Sequence, residues 1–174
     1  IVSSRRAADI ILKMWARRYD RTADFVVIEG PKAGGHLGFS DEELADIENI
    51  DYDEEIKDII ECTKEYGEKY NTHIPVIVAG GIFDHDDIIH ALELGADGVQ
   101  IASRFVATKE CDASDEYKQA YLDAKEDDVK IIKSPVGMPG RAIRNDFIKR
   151  VEKEKQPVDK CYNCMKKCNP NEVP

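Results

Sequence analysis

Much is missing from these 174 residues, and each absence closes off a class of protein. No apolar run approaches the roughly 20 residues needed to span a bilayer. The opening residues Ile1 to Arg6 also lack the basic-then-apolar order of a secretory leader. No membrane partner is expected, therefore, and the location expected is cytoplasmic. Basic charge is in deficit: 25 Lys and Arg against 35 Asp and Glu leave a formal charge of −10. That balance opposes the field that draws proteins onto nucleic-acid backbones, so nucleic acid is not an expected partner. The cysteines do not pair off: there are five, three of them crowded between Cys161 and Cys168, which disfavours a disulfide framework. An initiator methionine is absent too, and Ile1 stands directly before a helix-like stretch, which reads as a cut in a longer chain.

What is present forms a core. With 42% hydrophobic against 34% charged residues, the composition is that of one globular domain. Residues Ser4 to Tyr19 place Ala7, Ala8, Ile11, Leu12 and Trp15 near the spacing of one helical face, so an amphipathic helix is expected there with Trp15 in the core. The run Asp24 to Ile28, closed by Glu29-Gly30-Pro31, has the β-branched continuity of a strand buried on both faces. Asp41 to Tyr70 is acidic and helical, its inward stripe made by Ile56, Ile59, Ile60 and Thr63. Ile74 to Ala79 is the next strand, ended by Gly80-Gly81. Asp84 caps a helix to Leu94, and Gly95 supplies the positive φ after its end. Gly98 to Ala102 is a further strand, with helices following near Ser114 to Ala124 and Ile143 to Val151. Counting a stub at Ile1-Val2, the order is β–α–β–α–β–α–β–α, an α/β protein with parallel strands. An open doubly wound sheet and part of a (β/α)8 barrel both fit this alternation.

Glycines mark where chemistry belongs. They cluster just after strand ends, at Gly30, Gly34, Gly35, Gly38, Gly80 and Gly81, on the face where either fold builds its site. His36, inside the densest cluster, offers a proton-exchanging side chain near neutral pH, although a glycine-rich turn with an exposed histidine gives the same pattern. Ala79-Gly80-Gly81 and Gln100-Ile101-Ala102-Ser103-Arg104 end two successive strands, as phosphate-binding loops of (β/α)8 enzymes do. A tight turn at Gly80-Gly81, and an Arg104 paired with a surface carboxylate, are the plainer readings. His73, His85 and His90 show no carboxylate partner and read as ordinary histidines. Cys161, Cys164 and Cys168 lack an evident fourth ligand, since neither Cys62 nor Cys111 lies near them in sequence. They read as ordinary thiols, with a metal-binding tail as the alternative, and no metal site is expected.

The stretches EGPKAGGHLGF, PVIVAGGIFDHDDIIHALELGADGVQIASRF and KSPVGMPGRAIRN closely resemble the nitronate monooxygenase family, formerly 2-nitropropane dioxygenases. FMN-dependent enoyl-[acyl-carrier-protein] reductases of the same superfamily share these motifs. The resemblance implies an FMN-binding (β/α)8 TIM barrel, of which residues 1–150 form about the C-terminal half and 151–174 a cysteine-containing tail. It makes His36 the catalytic base or substrate-orienting residue. It sets Gly34 and Gly35, with Glu29, against the flavin, and Gly80, Gly81, Gln100, Ile101, Ala102 and Ser103 around the FMN phosphate. Glu29 stands where family members often have Gln, and Ala102-Ser103 where Gly-Thr is more usual. The implied activity is oxidative denitrification of alkyl nitronates with O2. An enoyl-thioester reductase using NAD(P)H is the alternative enzyme, and a non-catalytic metal- or partner-binding module the alternative of another class. Four parallel strands cannot close a barrel, so this segment by itself is expected to aggregate, to be molten, or to pair as a homodimer through its open edges.

Overall fold

The computed structural model describes residues 1–134 and 137–154. Helix α1 (Arg5–Tyr19) begins where the Ser4 hydroxyl accepts from the Ala7 N–H at 3.2 Å, and ends at Asp20 in the left-handed region. Strand β1 (Val26–Glu29) follows, then the two-residue β2 (Gly35–His36). The acidic stretch expected to be mostly helical is divided into α2 (Asp41–Ala45), a 3-10 turn at Ile47–Asn49, and α3 (Tyr52–Tyr70). Two caps cause the break: Ser40 and Glu43 close a reciprocal capping box on α2, and the Asp51 carboxylate accepts from the Glu54 N–H to start α3 afresh.

Next come β3 (Val76–Ala79), α4 (His85–Glu93) and β4 (Gly98–Gln100), with Asp84 capping α4 and Gly95 at φ +104° after it, both as expected. Strand β4 stops before Ile101, because from Ser103 to Val106 the chain is already a short helix, α5. Helix α6 (Asp115–Asp123), strands β5 (Val129–Lys133) and β6 (Pro139–Ile143), and α7 (Asp146–Lys153) complete the order. Pro139 to Ile143, which includes the end of the KSPVGMPGRAIRN stretch, is strand because β6 pairs antiparallel with both β5 and β2. The division expected at residue 150 falls inside α7.

Two sheets result. Strands β1, β3 and β4 are parallel and lie side by side in chain order, with Val2 bridged in parallel to Ile28 on the outer side of β1. The order never reverses, so the described strands have no switch point of the kind that marks a doubly wound sheet. One core covers one face. Val26, Ile28, Val76 and Val78 pack with Ala8 and Leu12 of α1, Ile56, Ile59 and Ile60 of α3, and Ala91 of α4. Alternation along the strands sends Val27, Glu29, Ile77, Ala79 and Gln100 to the opposite face. The inward stripe of α3 is buried as the periodicity implies, with Ile56, Ile59, Ile60 and Thr63 all under 7% exposed.

Helix α1 departs from expectation. Ala8 and Leu12, one turn apart, carry the contact, whereas Trp15 is 36% exposed and Ile11 40%. The apolar stripe drifts out of the groove by its last turn, and the Trp15 ring instead meets the Arg21 guanidinium, 5.7 Å from its centroid. Among the described residues no helix is long and apolar enough to cross a membrane.

Candidate functional site

At the C-terminal ends of the parallel strands the chain forms a cleft of about 590 Å3, within the range of small-molecule sites. Its floor is one register row: Glu29 pairs with Ala79, and Ala79 with Gln100, so three adjacent strands present one residue each. Above the floor the walls are loops. Lys32 to Gly35 follow β1, Gly80 to Phe83 follow β3, and Ala102 to Arg104 follow β4. Tyr121 and Lys125 close one side, and Arg141 with Ile143 of β6 the other.

Of the residues singled out from sequence, Glu29, Gly34, Gly35, Gly80, Gly81, Gln100, Ala102 and Ser103 all line this cleft. Ile101 and His36 do not. His36 sits on β2, beside the two lining glycines but on the antiparallel sheet. Its Nε2 lies 2.6 Å from the hydroxyl of Ser134, which is buried.

The glycines of the cleft serve two different purposes. Gly80 has φ +89°, and a Cβ there would fall 2.9 Å from the Ala33 Cβ and 3.0 Å from the Ala33 N, so side chains are excluded by both conformation and packing. A Cβ on Gly81 would meet the Lys32 side chain at 3.0 Å. These two glycines let the loops after β1 and β3 press together. At Gly34, by contrast, a Cβ would meet nothing within 4 Å, so open space lies in front of that backbone. That is the condition for a ligand to lie on it.

Local capping fixes the loops. The Asp84 carboxylate accepts from the Asp86 and Asp87 N–H groups, and the Asp87 carboxylate accepts from Phe83 and Asp84 at 2.8 and 3.1 Å. Those backbone N–H donors hold the Asp87 carboxyl below the usual carboxylate range. Among the described residues Arg104 pairs with no surface carboxylate. It donates to the Phe83 carbonyl at 2.8 Å and lies 4.6 Å from the Phe83 ring centroid, joining the loops after β3 and β4. Arg141, inside the stretch KSPVGMPGRAIRN but with no role evident from sequence, donates through Nη1 to the carbonyls of Pro31 and Ala33, the latter at 2.9 Å. It thereby ties β6 to the arm carrying Gly34, Gly35 and His36. Behind the floor, the Tyr52 ring occupies the space a Gly30 side chain would need; burial first, and then the Glu29 charge, push its phenol upward.

The electrostatics of the cleft run against those of the molecule. Lys32, Arg104, Lys125 and Arg141 face two carboxylates, Glu29 and Glu126, in a chain whose acids outnumber its bases by ten. An anionic ligand is favoured there. The three other histidines have acidic neighbours that their spacing did not disclose: His73 with Asp97 at 2.7 Å, His90 with Asp53 at 2.9 Å, and His85 with Asp86 at 3.3 Å. None of the three lines the cleft. Among the described residues no group of three or more His, Cys, Asp or Glu is placed to hold a metal, and Cys161, Cys164 and Cys168 lie outside those residues.

Fold and cleft together define an α/β protein with a small-molecule-sized cleft at the carboxyl ends of its parallel strands. Residues 1–170 match the model of the family described as nitronate monooxygenase, and the chain belongs to that family. A probable nitronate monooxygenase of Staphylococcus saprophyticus is 32% identical over 128 residues, covering 74% of this chain and 34% of that protein. One from Staphylococcus aureus strain Newman is 30% identical over 161 residues, covering 87% and 42%. Among solved structures, FabK from Thermotoga maritima is similar at 29% identity and TM-score 0.61, over 87% of this chain and 40% of that one. The nitroalkane oxidase of Streptomyces ansochromogenes is similar at 27% identity and TM-score 0.61, over 85% and 39%. The chain thus spans about a third to two fifths of the length of these relatives.

Proposed function

We propose that this chain builds about the C-terminal half of an FMN-binding (β/α)8 barrel, and that the protein oxidatively denitrifies alkyl nitronates with O2. The observation that carries the reading is the cleft itself, open in front of Gly34 and electropositive in an acidic chain, at the strand ends where the family motifs lie. The residues present fit FMN. Its phosphate is a dianion, for which Gly80, Gly81, Ala102 and Ser103 offer backbone at two adjacent loops, with Arg104 and Lys32 supplying charge. Its flat ring suits the uncrowded face of Gly34 and Gly35, with Glu29 and Gln100 below as polar groups.

When bound, FMN supplies the electron acceptor for substrate oxidation. The chain's own residues do the rest. His36 takes the proton or steadies the negative charge of the substrate, its ring oriented by Ser134 across 2.6 Å. Arg141 keeps the His36 arm in place through the Pro31 and Ala33 carbonyls. Nitrite release from ethyl nitronate under O2 by the purified yellow protein tests the reading. Oxidation of NAD(P)H dependent on an enoyl thioester, with no nitrite formed, would replace it by the enoyl-[acyl-carrier-protein] reductase alternative.

A further inference from the structure

Arg6, Arg17, Arg18 and Arg150 are exposed to solvent, and four further arginines are occupied by the protein. Arg5 pairs with Glu61, Arg21 with Asp24 and Arg144 with Glu152, while Arg104 lies on Phe83. Arg141 differs. Among the described residues it meets no carboxylate within ion-pairing distance, although acids are in excess throughout. It is half-buried, it lines the cleft, and its protein hydrogen bonds leave from one nitrogen only, Nη1, to Pro31 and Ala33. A guanidinium has five N–H groups. Two on Nη1 are accounted for; the three on Nε and Nη2 have no acceptor among the described residues.

The free Nε–Nη2 edge is a specific shape. It presents two parallel donors in one plane, the fork that matches two coplanar oxygens of an anion. A nitronate carries such a pair on nitrogen, and a carboxylate carries one on carbon. Arg141 also stands in register with Gly35, so its side chain shares that residue's face of the antiparallel sheet, the face that lines the cleft. Its burial without a counter-charge is unfavourable until an anion arrives, and that burial lowers its pKa.

We propose that Arg141 is the receptor for the substrate anion: one guanidinium nitrogen holds the glycine-rich arm, and the opposite edge takes the two oxygens of a planar nitronate or carboxylate group. The proposal rests on the reading of the cleft as a flavin and nitronate site, and gives that site its substrate-recognising side chain. It also explains why lysine would not serve. A single ammonium can meet the carbonyls or the anion, not both in fixed geometry.

Nitrate, a planar oxyanion that does not turn over, is the probe. Titrated calorimetrically into the flavin-loaded protein, it should bind, and R141K should weaken it at least ten-fold while flavin affinity changes less than about three-fold. Acetate and ethyl nitronate, titrated in the same way, separate carboxylate from nitronate recognition, and either one depending on Arg141 supports the assignment. A second measurement needs no variant: nitrate should slow phenylglyoxal labelling of the Arg141 peptide in the unmodified protein, read by mass spectrometry. Equal nitrate affinity in wild type and R141K, no nitrate binding at all, or labelling indifferent to nitrate would overturn the proposal. Nitrate binding through Arg141 in a protein that cannot oxidise nitronates would refute the reaction and leave this residue's role standing. Nitronate turnover with an unaltered KM in R141K would refute the residue alone.

Discussion

The two sheets of this molecule are built on opposite principles. The parallel one is short strands of Val, Ile and Ala, buried against three helices, and it supplies the floor of the cleft through Glu29, Ala79 and Gln100. The antiparallel one pairs β6 with its chain neighbour β5 and, across about a hundred positions, with β2; it is only partly covered, carries His36 and Arg141, and has Ser134 just past β5. The first is held by apolar burial, which is non-directional and tolerant of small displacements. The second is held by a few directional hydrogen bonds, notably from Arg141 to the Pro31 and Ala33 carbonyls, which fix position at little expense of area. Stability and placement of the chemistry are thus divided between them, and substitutions should separate the two.

The largest effect belongs to the antiparallel side. His36→Asn should lower turnover by about 10² to 10⁴, the usual contribution of a positioned acid–base group, while the flavin absorbance of the purified protein is unchanged. Steady-state kinetics with neutral nitroethane, whose α-proton a base must remove, measure it, and unchanged kinetics there would reduce His36 to an exposed turn residue. On the parallel side the loss should be in stability. Ile28, fully buried at the centre of β1, should cost roughly 2 to 5 kcal/mol when cut to alanine. Ile131→Ala in β5, at a site 36% exposed, should cost less than about 1 kcal/mol, and urea unfolding of the two variants gives the contrast. Equal losses would show that the antiparallel sheet is as much a part of the core as the parallel one.

Smaller effects sharpen the division. Gly34→Val adds atoms only to open space, so flavin affinity should fall about ten-fold with a thermal midpoint unchanged within a degree or two. Gly80→Val, where packing and a positive φ both resist, should lower the midpoint as well. Fluorescence titration with FMN, run beside thermal melts, tells a ligand contact from a structural one.

The smallest expected effect lies at the opposite end of the parallel sheet. The Asp97 carboxylate accepts the Val76 N–H at 2.8 Å, which, with His73 alongside, holds its carboxyl below the usual range. A depressed carboxyl contributes stability above its ordinary pKa and loses it as pH falls through the folded value, so this contribution is present at neutral pH and fades in strong acid. With the side chain 36% exposed, Asp97→Asn should cost under about 1 kcal/mol at pH 7 and nothing near pH 2, by urea midpoints at the two values.

The sequence by itself determined the parallel half. Runs such as Val76 to Ala79 and the stripe Ile56, Ile59, Ile60 and Thr63 announce their partners through periodicity, because burial of one face is a local pattern. The glycines after the strand ends located the cleft by the same logic, and eight of the ten singled-out site residues line it. Tertiary structure alone decided the rest. Gly35-His36 is too short to show a strand period, and its pairing with Gly140 and Arg141 crosses a hundred residues of chain that no local pattern records. Trp15 shares the helical spacing of Ala8 and Leu12 and is still 36% exposed, because periodicity along a helix does not record how far its neighbours extend beside it. Arg141 shows the limit most plainly. A guanidinium is defined by what surrounds it, and only the folded chain brings the carbonyls of Pro31 and Ala33 to one nitrogen of a side chain that also lines the cleft.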